Sequence, residues 1–357
     1  MIFKAARRLR EAGVLGMNRR NAEYIMNYNA RSAFPLVDNK VLTKELAGRY
    51  GIPTPPLYHL IRCHGDMKAL DRNLEGKREF ALKPARGSGG NGIILVTDRV
   101  KGGYVRQSGK VVTEEELFYH ISGILSGIYS LEGLEDIAII EGLIHPDPIF
   151  SAITHKGVPD IRIVVCRGVP VMAMTRLPTR ASDGKANLHA GALGAGIDIA
   201  EGVTLTAVHG SSVVTHHPDT GNPVAGIKVP FWEEMLLVAA RTFDMTVLGY
   251  LGVDLVIDRQ RGPLLLELNA RPGLQIQVAN GSGLRSRLEQ VESAPAGIFA
   301  DAEKRVAWAR RTFSDRSMSD VVPTERIGQP ETRPAADIQG AHEDGRHARE
   351  ESLEVLA

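Results

Sequence analysis

The chain has 357 residues, 43% of them hydrophobic and 24% charged, with a formal net charge of +1. That balance suits a globular protein large enough for two lobes and gives no electrostatic case for nucleic-acid binding. Two cysteines, Cys63 and Cys166, offer neither a disulfide framework nor metal spacing, and no run reaches the roughly 18 apolar residues of a membrane span. The N-terminus lacks the apolar core and cleavage site of a signal peptide, so a cytoplasmic location is expected.

Residues 1–35 read as short basic helices punctuated by Gly13, Gly16 and Pro35. Their arginines, Arg7, Arg8, Arg10, Arg19 and Arg20, fit a solvated face better than a membrane or anionic partner. Asn39 to Tyr50 reads as a helix stopped by Gly51, with Pro53, Pro55 and Pro56 barring continuation. Phe80–Lys83 and Ile93–Val96 read as strands either side of a glycine loop. Thr113 to Tyr129 reads as a helix whose first turn carries a Thr113–Glu116 capping box. Strands are expected at Ile137–Glu141, Ile161–Cys166 and Val169–Thr175, the last two joined by a tight turn at Arg167-Gly168. Asn187–Gly196 reads as a small-residue loop allowing close backbone approach, and His216-His217 as part of an exposed loop. Trp232–Phe243 and residues 298–313 read as helices. Residues 315–357, polar and nearly free of large apolar side chains, read as a disordered tail.

Two short runs carry the strongest chemical signal. Gly252-Val253-Asp254-Leu255-Val256-Ile257-Asp258 and Leu264-Leu265-Leu266-Glu267-Leu268-Asn269 have strand periodicity, separated by Arg259-Gln260-Arg261-Gly262 as a four-residue loop. If residues 258 and 263 pair, Asp254 lies opposite Glu267, and Asn269 falls on the same side. Two facing carboxylates repel unless a cation sits between them, and an oxygen-only donor set suits a hard divalent ion. Gly87-Ser88-Gly89-Gly90-Asn91-Gly92 spells G-x-G-x-x-G, but a strand rather than a helix follows, so it is no Rossmann fingerprint. A glycine loop between two strands can fold its N–H groups over phosphates, with Lys83 just ahead supplying a point charge.

Taken together these segments, across roughly residues 38–285, resemble the ATP-grasp superfamily, within it the RimK-type glutamate ligases. Closer still is a group described as α-L-glutamate ligase-like or sugar-transfer-associated ATP-grasp proteins, on the run Asn269-Ala270-Arg271-Pro272-Gly273-Leu274 and the residues after it. The resemblance implies an α/β (α+β) fold of two lobes with nucleotide between them. Residues 1–35 would be a helical extension, 36–136 the lobe with the glycine flap, and 137–314 the lobe with the metal site. It implies that Lys40, Lys83 and the loop from Gly87 to Gly92 contact phosphates, and that Glu141, Gly142 and Leu143 form a hinge against adenine. Asp160 would face the nucleotide, and Arg162 and Arg176 the substrate or phosphate. Lys185 and Asn187 would lie beneath the phosphates, with Asp254, Glu267 and Asn269 as magnesium ligands. Arg271 adds positive charge beside that metal site. With Lys40 so near the first residue, the α/β domain that usually precedes this fold in RimK-type ligases is expected to be missing.

The activity implied is an ATP-dependent carboxylate–amine ligation through an acylphosphate, with two Mg2+ ions that Mn2+ can replace. The substrate would be an amino acid or peptide-like molecule, joined to an acceptor the residues do not name, and a homo-oligomer is common in such relatives. A kinase acting on a hydroxyl, or a nucleotide-binding scaffold without turnover, is the alternative.

Overall fold

The computed structural model describes residues 2–87, 89–130 and 133–314, so Ser88 and the tail expected over 315–357 lie outside the described residues. Two antiparallel sheets carry the chain. The smaller is built from β1 (Leu57–Ile61), β2 (Phe80–Pro84), β3 (Ile94–Val100), β4 (Gly103–Arg106), β5 (Val111–Thr113) and β6 (Ala138–Glu141), in the order β1-β6-β2-β3-β4-β5. All of β2 and β6 is buried, as befits central strands. β6, expected within the lobe opening at residue 137, pairs with β1 and β2. Helix Glu114–Leu125 covers this sheet with Leu117, Ile121, Ile124 and Leu125. Its capping box forms: Glu116 N donates to Thr113 Oγ1 at 3.1 Å and Thr113 N to Glu116 Oε2 at 2.9 Å. The helix ends short of the expected Tyr129, and Gly127 takes a left-handed φ of 83° just beyond it.

The larger sheet contains β7 (Asp160–Cys166), β8 (Val169–Leu177), β9 (Leu193–Ile197), β10 (Thr204–His209), β11 (Ser212–Val214), β12 (Tyr250–Asp258) and β13 (Gly262–Asn269), in the order β11-β10-β9-β8-β7-β12-β13. Arg167 and Gly168 join β7 to β8 with φ of 49° and 80°, the positive pair that a two-residue hairpin of matching twist needs. The helices Trp232–Thr246 and Ala302–Thr312 pack on β7, β8 and β12 through residues such as Met235, Leu236, Val306 and Ala309. Each fully buried aliphatic side chain contributes about 1.5–3 kcal/mol. A core of this size offsets the several kcal/mol lost on dehydrating each ion that the sheet also carries.

Two local readings change. The small-residue run expected as a loop over Asn187–Gly196 becomes a strand from Leu193 onward, although close approach is still why the residues are small. A Cβ on Gly196 would lie 2.6 Å from the Ala279 carbonyl oxygen. His217, expected in an exposed loop, is 1% exposed, and its Nε2 lies 3.1 Å from the Pro178 carbonyl. His216 beside it is exposed.

The N-terminal segment is no free appendage from Leu15 onward. Leu15, Tyr24, Ile25, Val37, Ala47 and Ile52 belong to the core of the larger sheet. Arg20 Nη1 donates to the Pro272 carbonyl at 2.7 Å, and Asn29 Nδ2 to those of Tyr250 at 2.8 Å and Ala270 at 3.2 Å. These bonds fasten both the start of β12 and the turn after β13. Arg7, Arg8 and Arg10 are exposed, as a solvated helix face requires, whereas Arg20 is buried.

Candidate functional site

The β12–β13 hairpin is one residue tighter than its periodicity suggests. Asp258 pairs with Gly262, whose φ of 74° closes a three-residue loop, and Asp258 Oδ1 accepts from the N–H groups of Gln260 and Arg261 at 3.0 Å each. Leu265 then pairs with Leu255, and Leu266 is the extra residue of a β-bulge. The bulge restores the expected juxtaposition: Asp254 faces Glu267, and Asn269 pairs with Gly252. Register extends this polar row across the sheet, because Arg162 on β7 lies opposite Asp254 and Asp160 lies opposite Arg176 on β8.

The row is knitted by charge-assisted hydrogen bonds. Arg162 grips Asp254 with both arms of its fork, Nε to Oδ1 at 2.7 Å and Nη2 to Oδ2 at 2.6 Å. Arg176 spans two carboxylates, pairing with both oxygens of Asp160 and reaching Asp254 Oδ2 at 2.9 Å. Asn269 Nδ2 donates to the same Oδ2 at 3.2 Å. Burial alone would raise the Asp254 carboxyl, since it is 1% exposed, but the guanidinium groups of Arg162 and Arg176 outweigh that and hold it well below the usual carboxylate range. Burial dominates at Asp160 instead, and with Asp254 adding repulsion its carboxyl is pushed up to about 6 despite Arg176. Burial would lower the Arg176 guanidinium, but Asp160 and Asp254 prevail and raise it.

Lys40 stands at the edge of this row. Its Nζ donates to the Gly87 carbonyl at 2.7 Å and lies 3.4 Å from Glu267 Oε2, so one ammonium joins the base of the glycine loop to the hairpin. Gly89, Gly90 and Gly92 all have positive φ, and Gly89, Gly90 and Asn91 are exposed. The Gly92 carbonyl lies 2.9 Å from His120 Nε2, which steadies the far stem of the loop. A Cβ on Gly89 would sit 3.5 Å from Asn187 Nδ2, so this loop meets the segment expected beneath the phosphates. Asn187 Oδ1 accepts from His189 N at 3.0 Å, and Lys185 is exposed.

Lys83 and Glu141 belong to the smaller sheet. Glu141 turns its carboxylate inward, where Oε1 pairs with Lys83 and Oε2 lies 2.7 Å from Lys44 Nζ. Of the expected hinge, Glu141 thus has its carboxylate engaged by the two lysines. Beyond it, Gly142 N donates to the Pro56 carbonyl at 2.8 Å, and the Leu143 carbonyl accepts from Arg261 at 3.3 Å. Arg271 is exposed and lies over the Phe34 ring, 4.9 Å from its centroid. Sequence reasoning overlooked Lys44. Its spacing of four from Lys40 put it one turn along the same helix face, and that was the available signal.

Asp254, Glu267 and Asn269 offer carboxylate and amide oxygens only, a donor set that fits Mg2+ in kind. Arg162, Arg176 and Lys40 pair with Asp160, Asp254 and Glu267. Among the described residues no helix is long and apolar enough to cross a membrane.

The family model described as sugar-transfer associated ATP-grasp matches residues 19–293. No curated protein sequence matches the chain. Among solved structures, the chain is similar to the ATP-grasp ligase PsnB complexed with minimal precursor, at 12% identity and a TM-score of 0.38, covering 78% of this chain and 62% of that one. It is similar to D-cycloserine synthetase DcsG at 15% identity and a TM-score of 0.38, covering 78% and 71%. A RimK domain ATP-grasp protein from Sphaerobacter thermophilus DSM 20745 shares 12% identity at a TM-score of 0.42, with 73% and 69% covered. The chain thus spans about three-fifths of the length of the PsnB structure. On the family match across most of its described length, this chain belongs to the sugar-transfer associated ATP-grasp family.

Proposed function

We propose that the protein is an ATP- and Mg2+-dependent ligase joining a carboxylate, on an amino-acid or peptide-like substrate, to an amine. The observation that supports this best is the facing of Asp254 and Glu267, with Asn269 alongside and two arginines bound to the same acid. A carboxylate does not condense with an amine in water, because its oxygen is a poor leaving group. Transfer of the γ-phosphoryl to that oxygen breaks the bond to the β-phosphate, releases ADP and leaves an acylphosphate. The amine nitrogen then attacks the acyl carbon and expels inorganic phosphate, losing its proton to water. In this reading Lys40, Lys83 and the N–H groups of the glycine loop bind the polyphosphate, with Lys185 and Asn187 beneath it and Asp160 facing the nucleotide. Arg162, Arg176 and Arg271 hold the substrate carboxylate in line with the phosphoryl group, a task that suits arginine's planar fork. Asp254, Glu267 and Asn269 would hold the Mg2+ ions. Bound there, Mg2+ neutralises charge on the transferring phosphoryl group.

Release of ADP and phosphate with candidate carboxylates, with and without amines, tests this reading when combined with mass spectrometry of the products. Phosphate and an amide product appearing only when both substrates are present means ligation, whereas a stable phosphorylated product means a kinase. Glu267→Ala should abolish product formation and weaken Mg2+-dependent nucleotide binding at least tenfold. Unchanged turnover in that variant would remove the hairpin from the mechanism.

A further inference from the structure

The buried charge cluster of the smaller sheet has one cation more than it needs. Glu141 ends the central strand β6 and is 2% exposed; the side chains of Lys44 and Lys83 are 8% exposed each. A carboxylate that deep must keep a counter-ion, since stripping a buried ion pair of one partner leaves the other charge dehydrated and unpaired. One ammonium suffices for that. The second leaves the cluster with a net positive charge in a region closed to solvent, an arrangement whose dehydration cost calls for an incoming anion.

The two lysines are not equivalent. Lys44 Nζ is tethered twice, to Glu141 Oε2 and to the Pro55 carbonyl, each at 2.7 Å. Lys83 Nζ pairs with Glu141 Oε1 and lies one residue before Pro84, where the strand runs toward the glycine loop. Lys83 is the one placed to let go. Lys40, one turn earlier on the same helix, is engaged instead by Gly87 and Glu267.

We infer that Lys44 is a positioning residue: it is the standing counter-ion of Glu141, which allows Lys83 to leave that carboxylate for a polyphosphate. This inference rests on the nucleotide-binding reading above. With Glu141 bound to Lys44, withdrawal of Lys83 exchanges one anionic partner for another and strands no charge. Without Lys44, every nucleotide that drew Lys83 away would leave a buried carboxylate bare. Burial would raise the Glu141 carboxyl, but Lys83 and Lys44 together hold it below its ordinary value.

The test is calorimetric titration of Mg2+ with ADP into the full chain and into Lys44→Met, Lys44→Arg, Glu141→Gln and the double variant Lys44→Met/Glu141→Gln. Lys44→Met should weaken ADP binding on the order of 100-fold, and Lys44→Arg should largely preserve it. The double variant should bind within about fivefold of Glu141→Gln alone, because a neutral amide needs no counter-ion. A merely structural role for Lys44 would give no such rescue. If Lys44→Met fails to fold, the comparison of the double variant with Glu141→Gln carries the test: similar affinity supports the role, and a hundredfold loss overturns it. Lys44→Met binding ADP as the unmodified chain does also overturns it. Failure of the unmodified chain to bind ADP or ATP would instead overturn the nucleotide reading itself, and the role of Lys44 with it.

Discussion

Two charge clusters lie one against each sheet, and they are built on opposite plans. On the larger sheet three acids, Asp160, Asp254 and Glu267, meet three bases, Arg162, Arg176 and Lys40, and the charges balance. In the smaller sheet one acid meets two bases. The balanced row shades from Asp254 at 1% exposed to the Glu267 side chain at 31%, whereas the unbalanced trio is sealed throughout. The difference teaches which groups are free to move. A rim that is neutral by pairing can trade arginines for other cations without leaving charge behind, while a sealed trio can release only the cation it does not need.

The comparison can be broken most sharply at Asp254. Asp254→Asn keeps the shape but leaves Arg162 and Arg176 short of a buried counter-charge, a loss of about 3–5 kcal/mol of folding stability. Denaturant unfolding measures it, and a cost below about 1 kcal/mol would mean the row is far more solvated than its burial implies. A smaller effect follows from Asp160, whose folded carboxyl is raised from 3.8 to about 6. Between those values the folded chain holds a proton that the unfolded chain has lost, so stability should fall as pH rises from about 4 to 6. Asp254 contributes in the opposite sense: its stabilisation is present above about pH 4 and is lost as acid protonates it below that. Asp160→Asn should abolish the decline between pH 4 and 6 in melting scans and leave the acid limb below it intact. The least effect belongs to the half-open edge. Lys40→Met removes a 3.4 Å pair with a partly exposed glutamate, so it should cost under about 1 kcal/mol of stability while weakening nucleotide binding. A stability loss like that of Asp254→Asn would place Lys40 among the buried pairs.

Much of this was legible because alternation in a strand is a strong signal. The period of two puts Glu267 and Asn269 on one face of their strand, and a short hairpin loop is what brings Asp254 opposite Glu267. The facing pair was reached from the wrong turn, since Gly262 tightens the hairpin by one residue and the bulge at Leu266 restores it; neither event alters the pattern of apolar and polar letters. The run Leu193–Ile197 hid as a loop because glycine and alanine carry low strand propensity, and the approach of Leu188 to Gly194 and of Ala279 and Asn280 to Gly196 accounts for its glycines. The pairing of Lys44 with Glu141 and the grip of Arg162 on Asp254 were not legible, although the spacing of Lys44 from Lys40 hinted at a shared helix face. Both depend on which elements neighbour each other, and that is a property of topology rather than of local pattern.

The fastening of the first segment to the hairpin bears on how the chain comes to be folded at all. Leu15 N bonds Gln277 Oε1 across 262 residues, and Arg20 reaches Pro272 across 252. At synthesis rates of about 5–20 residues per second, the docking surface for Leu15 and Tyr24 emerges some ten seconds to a minute after they do. During that interval the segment must wait with its apolar side chains uncovered. Closure of the larger lobe is therefore a late, high-contact-order event on the ribosome.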